Sequence, residues 1–251
     1  MELRLCHLYP DLMNIYGDRG NVITIVNRCR WRGIGIKVSE LSAGASLDAS
    51  DYDLYFFGGG QDREQITVAE DLRERKARGL RQAVEQGAAL LSICGGYQLL
   101  CRYYQPFDAP KLEGVGIFDA WTEASNLRMI GNLAITLSDS VAADVGVAAK
   151  TVVGFENHSG KTYLGKNAKP LGKVDSGFGN NSHDKTEGAV HKHALGCYLH
   201  GSLLPKNPHI ADLLIRWALE HRYGKAELSA LDDMSEWNAH SAALKRTRET
   251  H

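Results

Sequence analysis

The 251-residue sequence has few prolines (6) and no excess of charge of either sign, with 29 Lys+Arg against 30 Asp+Glu and a net charge of −1. A balance of this kind offers neither the basic footprint of a nucleic-acid-binding protein nor the polybasic face of a membrane-surface protein. No apolar run approaches the ~20 residues that span a bilayer. The opening "MELRLCHLYPDL" carries charges where a secretory signal would be apolar. The five cysteines, Cys6, Cys29, Cys94, Cys101 and Cys197, form no C-x-x-C pair and show no regular spacing, which argues against a disulfide framework or a zinc site. A reducing, cytoplasmic setting is expected. There is no G-x-x-x-x-G-K-[ST] phosphate loop and no dinucleotide fingerprint. Internal repeats and low-complexity linkers are missing too.

What remains is a strand–helix alternation. "ELRLCHLY" (2–9), "IGIKVSEL" (34–41), "DYDLYFFGGG" (51–60) and "AALLSIC" (88–94) read as strands. Between them, helical spacing covers 21–33 and 64–86, and a further helix is expected over 96–104. Short connections and apolar strands predict an α/β fold, a mostly parallel open sheet with helices on both faces. The middle is less regular. Short strands are expected at 132–137, 149–157 and 161–165, a polar loop at 175–188, one or two strands at 189–201, and an amphipathic helix over 207–224. Residues 1–224 are expected to be one domain. Residues 225–251 are polar with sparse apolar positions and read as a helical tail, an appendage rather than core.

Cys94 sits where a buried strand turns into a helix, "LLSICGGYQLL". A nucleophile at such an elbow is pushed into solvent above the carboxyl ends of the strands, with small neighbours (Ser92, Gly96) letting the turn form. A buried structural cysteine is the competing reading. His200 ends another strand-like run and is a candidate base. The amides around Gly59 and Gly60 in "FFGGGQD", joined by Gly95, are candidate donors to an oxyanion. Together they make a cysteine-hydrolase site.

These residues resemble a family. "FFGGGQD", "SICGGYQLL" and "GCYLHGSLLPKNP" look like the class I glutamine amidotransferases of the cobyric-acid-synthase branch, whose fold is a flavodoxin-like three-layer α/β/α sandwich. "HLYPDLMNIYGDRGN" and "GFENHSGKTYLG" carry the likeness, over about residues 4–224, to the glutaminase subunits of lipid II isoglutaminyl synthases. The resemblance implies that Cys94 attacks the side-chain amide of L-glutamine and His200 is the base. Arg128 in "NLRMIGNL" would pair with the substrate α-carboxylate, and Gln98 would line the pocket. No cofactor is implied in this chain. ATP and Mg²⁺ would belong to a MurT-type, Mur-ligase-like partner that spends the ammonia on the α-carboxyl of D-glutamate in the lipid II stem peptide, near the inner face of the membrane. A subunit serving a cobalamin or pyridoxal pathway synthetase, a γ-glutamyl hydrolase, and a non-catalytic module are the alternatives.

One position departs from the pattern. Most class I glutaminases place a glutamate two residues after the histidine, and Ser202 stands there. A dyad, an acid from elsewhere in the chain such as Glu156, or an acid from the partner are the options, the partner being preferred. His191 and His193, flanking Lys192, have a weak ligand spacing; an exposed strand face explains them without a metal. His158 is expected to organise its loop.

Overall fold

The computed structural model describes residues 1–15, 17–146 and 149–250. Tyr16 of the opening segment and His251 of the tail lie outside the described residues. The chain begins β1 (Glu2–Leu8), α1 (Arg19–Trp31), β2 (Gly35–Leu41) and β3 (Leu54–Phe57). A long helical stretch follows: α2 (Asp62–Asp71), a π turn (Leu72–Lys76) and α3 (Ala77–Glu85). Then come β4 (Ala89–Ile93), α4 (Gly95–Leu100), β5 (Tyr103–Gln105), β6 (Leu112–Glu113) and β7 (Ala120–Glu123). The middle continues through β8 (Met129–Leu137), α5 (Asp139–Val145), β9 (Thr151–His158), β10 (Lys161–Leu164), β11 (Gly172–Ser176) and β12 (Thr186–Glu187). The chain closes with β13 (Ala189–His191), β14 (Ala194–Cys197), a 3₁₀ turn (Leu204–Lys206), α6 (Pro208–Tyr223) and α7 (Met234–Thr250).

The main sheet runs β13-β14-β4-β3-β1-β2. All neighbours are parallel except the edge pair β13–β14. "LYFF" and "ALLSI" are buried at every position, the uninterrupted apolar reading of strands covered on both faces. α6 packs on β1, β3 and β4 and against α1, while α4 lies against β4 and β14 and meets α2. The result is a three-layer α/β/α sandwich. Its parallel strands bring the carboxyl ends of β3 and β4 to one edge, beside the turn that follows β14.

Two smaller sheets, β10-β7-β5-β6 and β12-β11-β8-β9, come from the middle of the chain. They correct two expectations. The helix expected over 96–104 stops at Leu100, because Tyr103–Gln105 pairs with β6 and β7 and sheet pairing overrides a helical pattern this short. The loop expected over 175–188 contains the end of β11 and all of β12, with a bulge between Val174 and Ser176. The helix expected over 64–86 is interrupted by its π turn. Buried Lys76 there salt-bridges Asp71 and lies 4.7 Å from the Tyr9 ring centroid.

The tail is docked rather than appended. The Nδ1–H of His240 donates to the Lys206 carbonyl (2.9 Å), so Nε2 accepts from the Thr151 hydroxyl (2.9 Å). Trp237 stacks on His209, with centroids 5.2 Å apart. Just before α7, Asp233 grips the buried Arg28 guanidinium at 2.6 and 2.9 Å, and Asp212 takes its other side at 2.7 Å twice. Polar bonds and one stacked ring hold α7, which is why no apolar stripe announced the contact. Among the described residues no helix is long and apolar enough to cross a membrane.

Candidate active site

Cys94 follows directly on β4 with φ 49° and ψ −108°. A non-glycine residue in that region is strained and persists only where its surroundings fix it. The surroundings here are backbone. A side chain at Gly96 would place Cβ 2.6 Å from the Phe57 carbonyl and 2.7 Å from that of Gly58. At Gly95 it would meet Gln65 Nε2 at 2.9 Å and the Gly60 nitrogen at 3.0 Å. The end of β3 therefore presses on the elbow, and only glycine admits it. Cys94 N–H is anchored on the Cys197 carbonyl (2.8 Å). The side chain, 6% exposed, opens onto a cavity of about 580 Å³.

His200 lies just beyond β14 and is pinned to β9 by two backbone bonds with Phe155, 2.8 and 3.2 Å. Its ring is buried. Nδ1 donates to Asp18 Oδ1 (3.2 Å), and the ring lies within electrostatic reach of Cys94. Burial works against the charged imidazole. The charge of Cys94 and the Asp18 hydrogen bond outweigh it and raise His200 to about 10. Asp18 itself has no exposed side-chain surface, and its second oxygen accepts the Gly59 N–H at 2.7 Å.

Asp18 is the acid the sequence reading did not find. The preferred expectation, an acid lent by a partner, is corrected, since a carboxylate of this chain holds the His200 ring. Glu156 is not that acid. It accepts the N–H groups of Phe178 (2.6 Å) and Gly179 (2.9 Å) and lies 3.7 Å from His158 Nε2. Ser202 has a different task. Its hydroxyl donates to the Gly17 carbonyl (2.6 Å), clamping the loop that carries Asp18. A Cβ at Gly20 would stand 2.1 Å from that oxygen, so the glycine makes room for the clamp. The signal was present in the quoted "YGDRGN", an acid between glycines ahead of α1.

Gly59 is corrected as an oxyanion donor, because its N–H is committed to Asp18. The residue instead provides clearance, for a Cβ there would stand 2.9 Å from His200 Cε1. Gly60 and Gly95 do converge on the elbow, as the 3.0 Å approach noted above shows. Gln98 is buried in the cavity wall and donates to the Tyr198 hydroxyl (3.0 Å), which lies 2.6 Å from Thr162 Oγ1. Arg128 is at the exposed mouth, with Nη1 3.4 Å from Ser159 Oγ.

His158 stacks on Tyr198 (3.6 Å, 7°), and its Nδ1–H donates to the Gly160 carbonyl (2.8 Å). Burial lowers its pKa despite Glu156, so it stays neutral beside His200. His191 pairs with Glu85 (2.6 Å), whereas His193 bonds the Gly87 carbonyl (2.8 Å) and stacks on Trp217. Two further polar groups in the cavity wall, Gln65 and Asn157, were not singled out in the sequence.

A strained cysteine at a strand-to-helix elbow, an imidazole held by a buried carboxylate, and two glycine amides at the same point define a cysteine amidohydrolase on a three-layer α/β/α sheet. The chain belongs to the CobB/CobQ-like glutamine amidotransferase family, whose domain profile matches residues 4–208. It is 39% identical over 245 residues to the GatD subunit of the glutamine-hydrolysing lipid II isoglutaminyl synthase of Staphylococcus aureus, covering 98% of this chain and 96% of that protein. The Streptococcus pneumoniae GatD subunit is 37% identical over 235 residues, covering 93% and 87%. The fold is shared with the structure of PurLQS from Thermotoga maritima, at a TM-score of 0.61 and 14% identity, covering 88% of this chain and all of that one.

Proposed function

We propose that this chain is the glutamine-hydrolysing subunit of a lipid II isoglutaminyl synthase. The observation that supports it is a complete Cys94–His200–Asp18 arrangement in a chain that matches two GatD subunits over nearly its whole length. His200 Nε2 takes the Cys94 thiol proton, and sulfur attacks the side-chain carbonyl carbon of glutamine. The carbonyl electrons move onto oxygen, which the Gly60 and Gly95 amides hold. The C–N bond then breaks, the nitrogen takes the proton back from His200, and ammonia leaves a γ-glutamyl thioester. Water, deprotonated by His200, returns the thiol and releases glutamate. Asp18 keeps Nδ1 protonated and Nε2 available throughout. Arg128 at the mouth pairs with the α-carboxylate, its planar fork suited to that group.

The ammonia passes to a MurT-type ligase partner that binds ATP and Mg²⁺ and amidates the α-carboxyl of D-glutamate in lipid II, at the inner face of the membrane. The test is co-expression with such a ligase and measurement of lipid II amidation driven by glutamine or by ammonium chloride. Cys94→Ala abolishes the glutamine-driven reaction and spares the ammonium-driven one. Retention of glutamine use in Cys94→Ala would overturn the mechanism. A wild-type complex that hydrolyses glutamine without amidating lipid II would overturn the choice of acceptor.

A further inference from the structure

Glutamine hydrolysis at Cys94 leaves one requirement unmet by the groups described so far. The substrate carboxamide brings one carbonyl and two N–H bonds against the buried inner wall of the cavity beside Cys94. Gly60 and Gly95 serve the carbonyl, and His200 supplies the proton that turns the leaving nitrogen into ammonia. Nothing named above accepts the N–H bonds that nitrogen already carries. An amide N–H pressed against a buried wall without an acceptor is penalised, so a pocket that turns over amides efficiently offers one.

Gln65, in the first turn of α2, meets the requirement. It is 2% exposed and lines the cavity that holds Cys94. Its Nε2 donates to the Gly60 carbonyl (3.2 Å) and sits over the elbow, 2.9 Å from where a Cβ on Gly95 would stand. That bond fixes which end of the amide faces where. The other end, Oε1, is buried and has no hydrogen-bond partner among the described residues. A buried acceptor left open beside a nucleophile, with its own donor tied down, calls for an N–H from a ligand.

We propose that Gln65 Oε1 accepts an N–H of the substrate carboxamide and so sets the preference of the site for an amide over an ester with the same acyl group. The assignment rests on the glutaminase reading above. The residue touches the leaving nitrogen, and through Nε2 it also steadies the Gly60 strand end. These two roles separate experimentally.

The probes are L-glutamine and L-glutamate γ-methyl ester, which share the γ-glutamyl group but differ in whether the leaving atom carries hydrogen. Gln65→Met keeps the length of the side chain and removes the acceptor. We expect kcat/KM for glutamine to fall about 10- to 100-fold. The value for the ester should change less than about 3-fold, since it has no N–H to satisfy. Gln65→Leu carries the same expectation should methionine disturb the packing of α2. Gln65→Glu retains an acceptor oxygen and is expected to keep the amide-over-ester ratio within about 3-fold of wild type, whatever its absolute rate. Equal losses on both substrates would reduce Gln65 to a support for Gly60 and overturn the proposal, as would an unchanged glutamine rate in Gln65→Met. Failure of the wild-type protein to hydrolyse either probe would instead count against the glutaminase reading.

Discussion

Replacing Asp18 by asparagine tests whether this chain supplies its own third catalytic group. The buried carboxylate now accepts two N–H bonds, one from Gly59 at 2.7 Å and one from His200 Nδ1 at 3.2 Å. An asparagine offers one acceptor and one NH₂ group in the same space. Whichever way it turns, one of those donors meets a donor. The shorter Gly59 bond keeps the oxygen, so the NH₂ faces His200 and drives the proton from Nδ1 to Nε2. In that tautomer the ring cannot take the thiol proton of Cys94. The same exchange in the serine-protease triad lowers kcat by about 10⁴-fold. With a 3.2 Å contact here, a loss of about 10²- to 10⁴-fold in kcat is expected, with KM little changed. The attraction of Asp18 for the charged ring is lost as well, so His200 falls below its value of about 10. The assay is glutamate release from glutamine, measured for the chain alone and for the chain with its ligase partner, with melting curves to confirm folding. A kcat within about three-fold of wild type in both settings would refute the assignment and return the search to an acid from outside.

Further outcomes follow from the same geometry. In Cys94→Ser the largest influence raising His200 disappears, so its imidazole should titrate below about 10, as followed by NMR of the ring; an unmoved titration would contradict the Cys94–His200 pairing. Arg28→Met leaves Asp233 facing a neutral side chain, while Asp212 keeps only Arg32, at 2.7 Å. Destabilisation by about 3 kcal/mol is expected, together with proteolytic cutting between Gly224 and Met234, and intact resistance would show that the tail is held by something else. Glu187 is buried and its pKa raised to about 8, desolvation being the main cause. The folded state therefore binds a proton that the unfolded chain has released, and stability falls by up to ~1.4 kcal/mol per pH unit as pH rises from about 4.5 to about 8. Glu187→Gln should flatten that dependence and raise the melting temperature more at pH 8 than at pH 5, whereas parallel pH curves for the two proteins would rule the effect out.

The legible parts of this molecule are those in which local pattern and global role agree. Buried parallel strands read as continuous apolar runs, and β3 and β4 are short versions of that signal. The elbow was visible because its two glycines are forced, Gly96 by the Phe57 and Gly58 carbonyls and Gly95 by Gln65 and the Gly60 nitrogen, and a forced glycine leaves a mark in the sequence. Asp18 was marked only by the glycines around it in "YGDRGN", and nothing in that stretch ties it to the histidine. It is 182 residues from His200, and only the parallel topology, which sets the start of α1 beside the chain after β14, joins them. The docking of α7 was hidden for a related reason, since Arg28, Asp212 and Asp233 look like any surface charges until the fold encloses the guanidinium. Ser202 links the two lessons. Judged by position it is a missing acid; judged by contact it secures Gly17 and thereby the aspartate that does that work. On the proposed mechanism the triad is retained as a set of roles, with its acid delivered from the other end of the domain. A search for this site in sequence must look for an acid that the β1–α1 loop can bring to the histidine, not for a glutamate at a fixed offset from it.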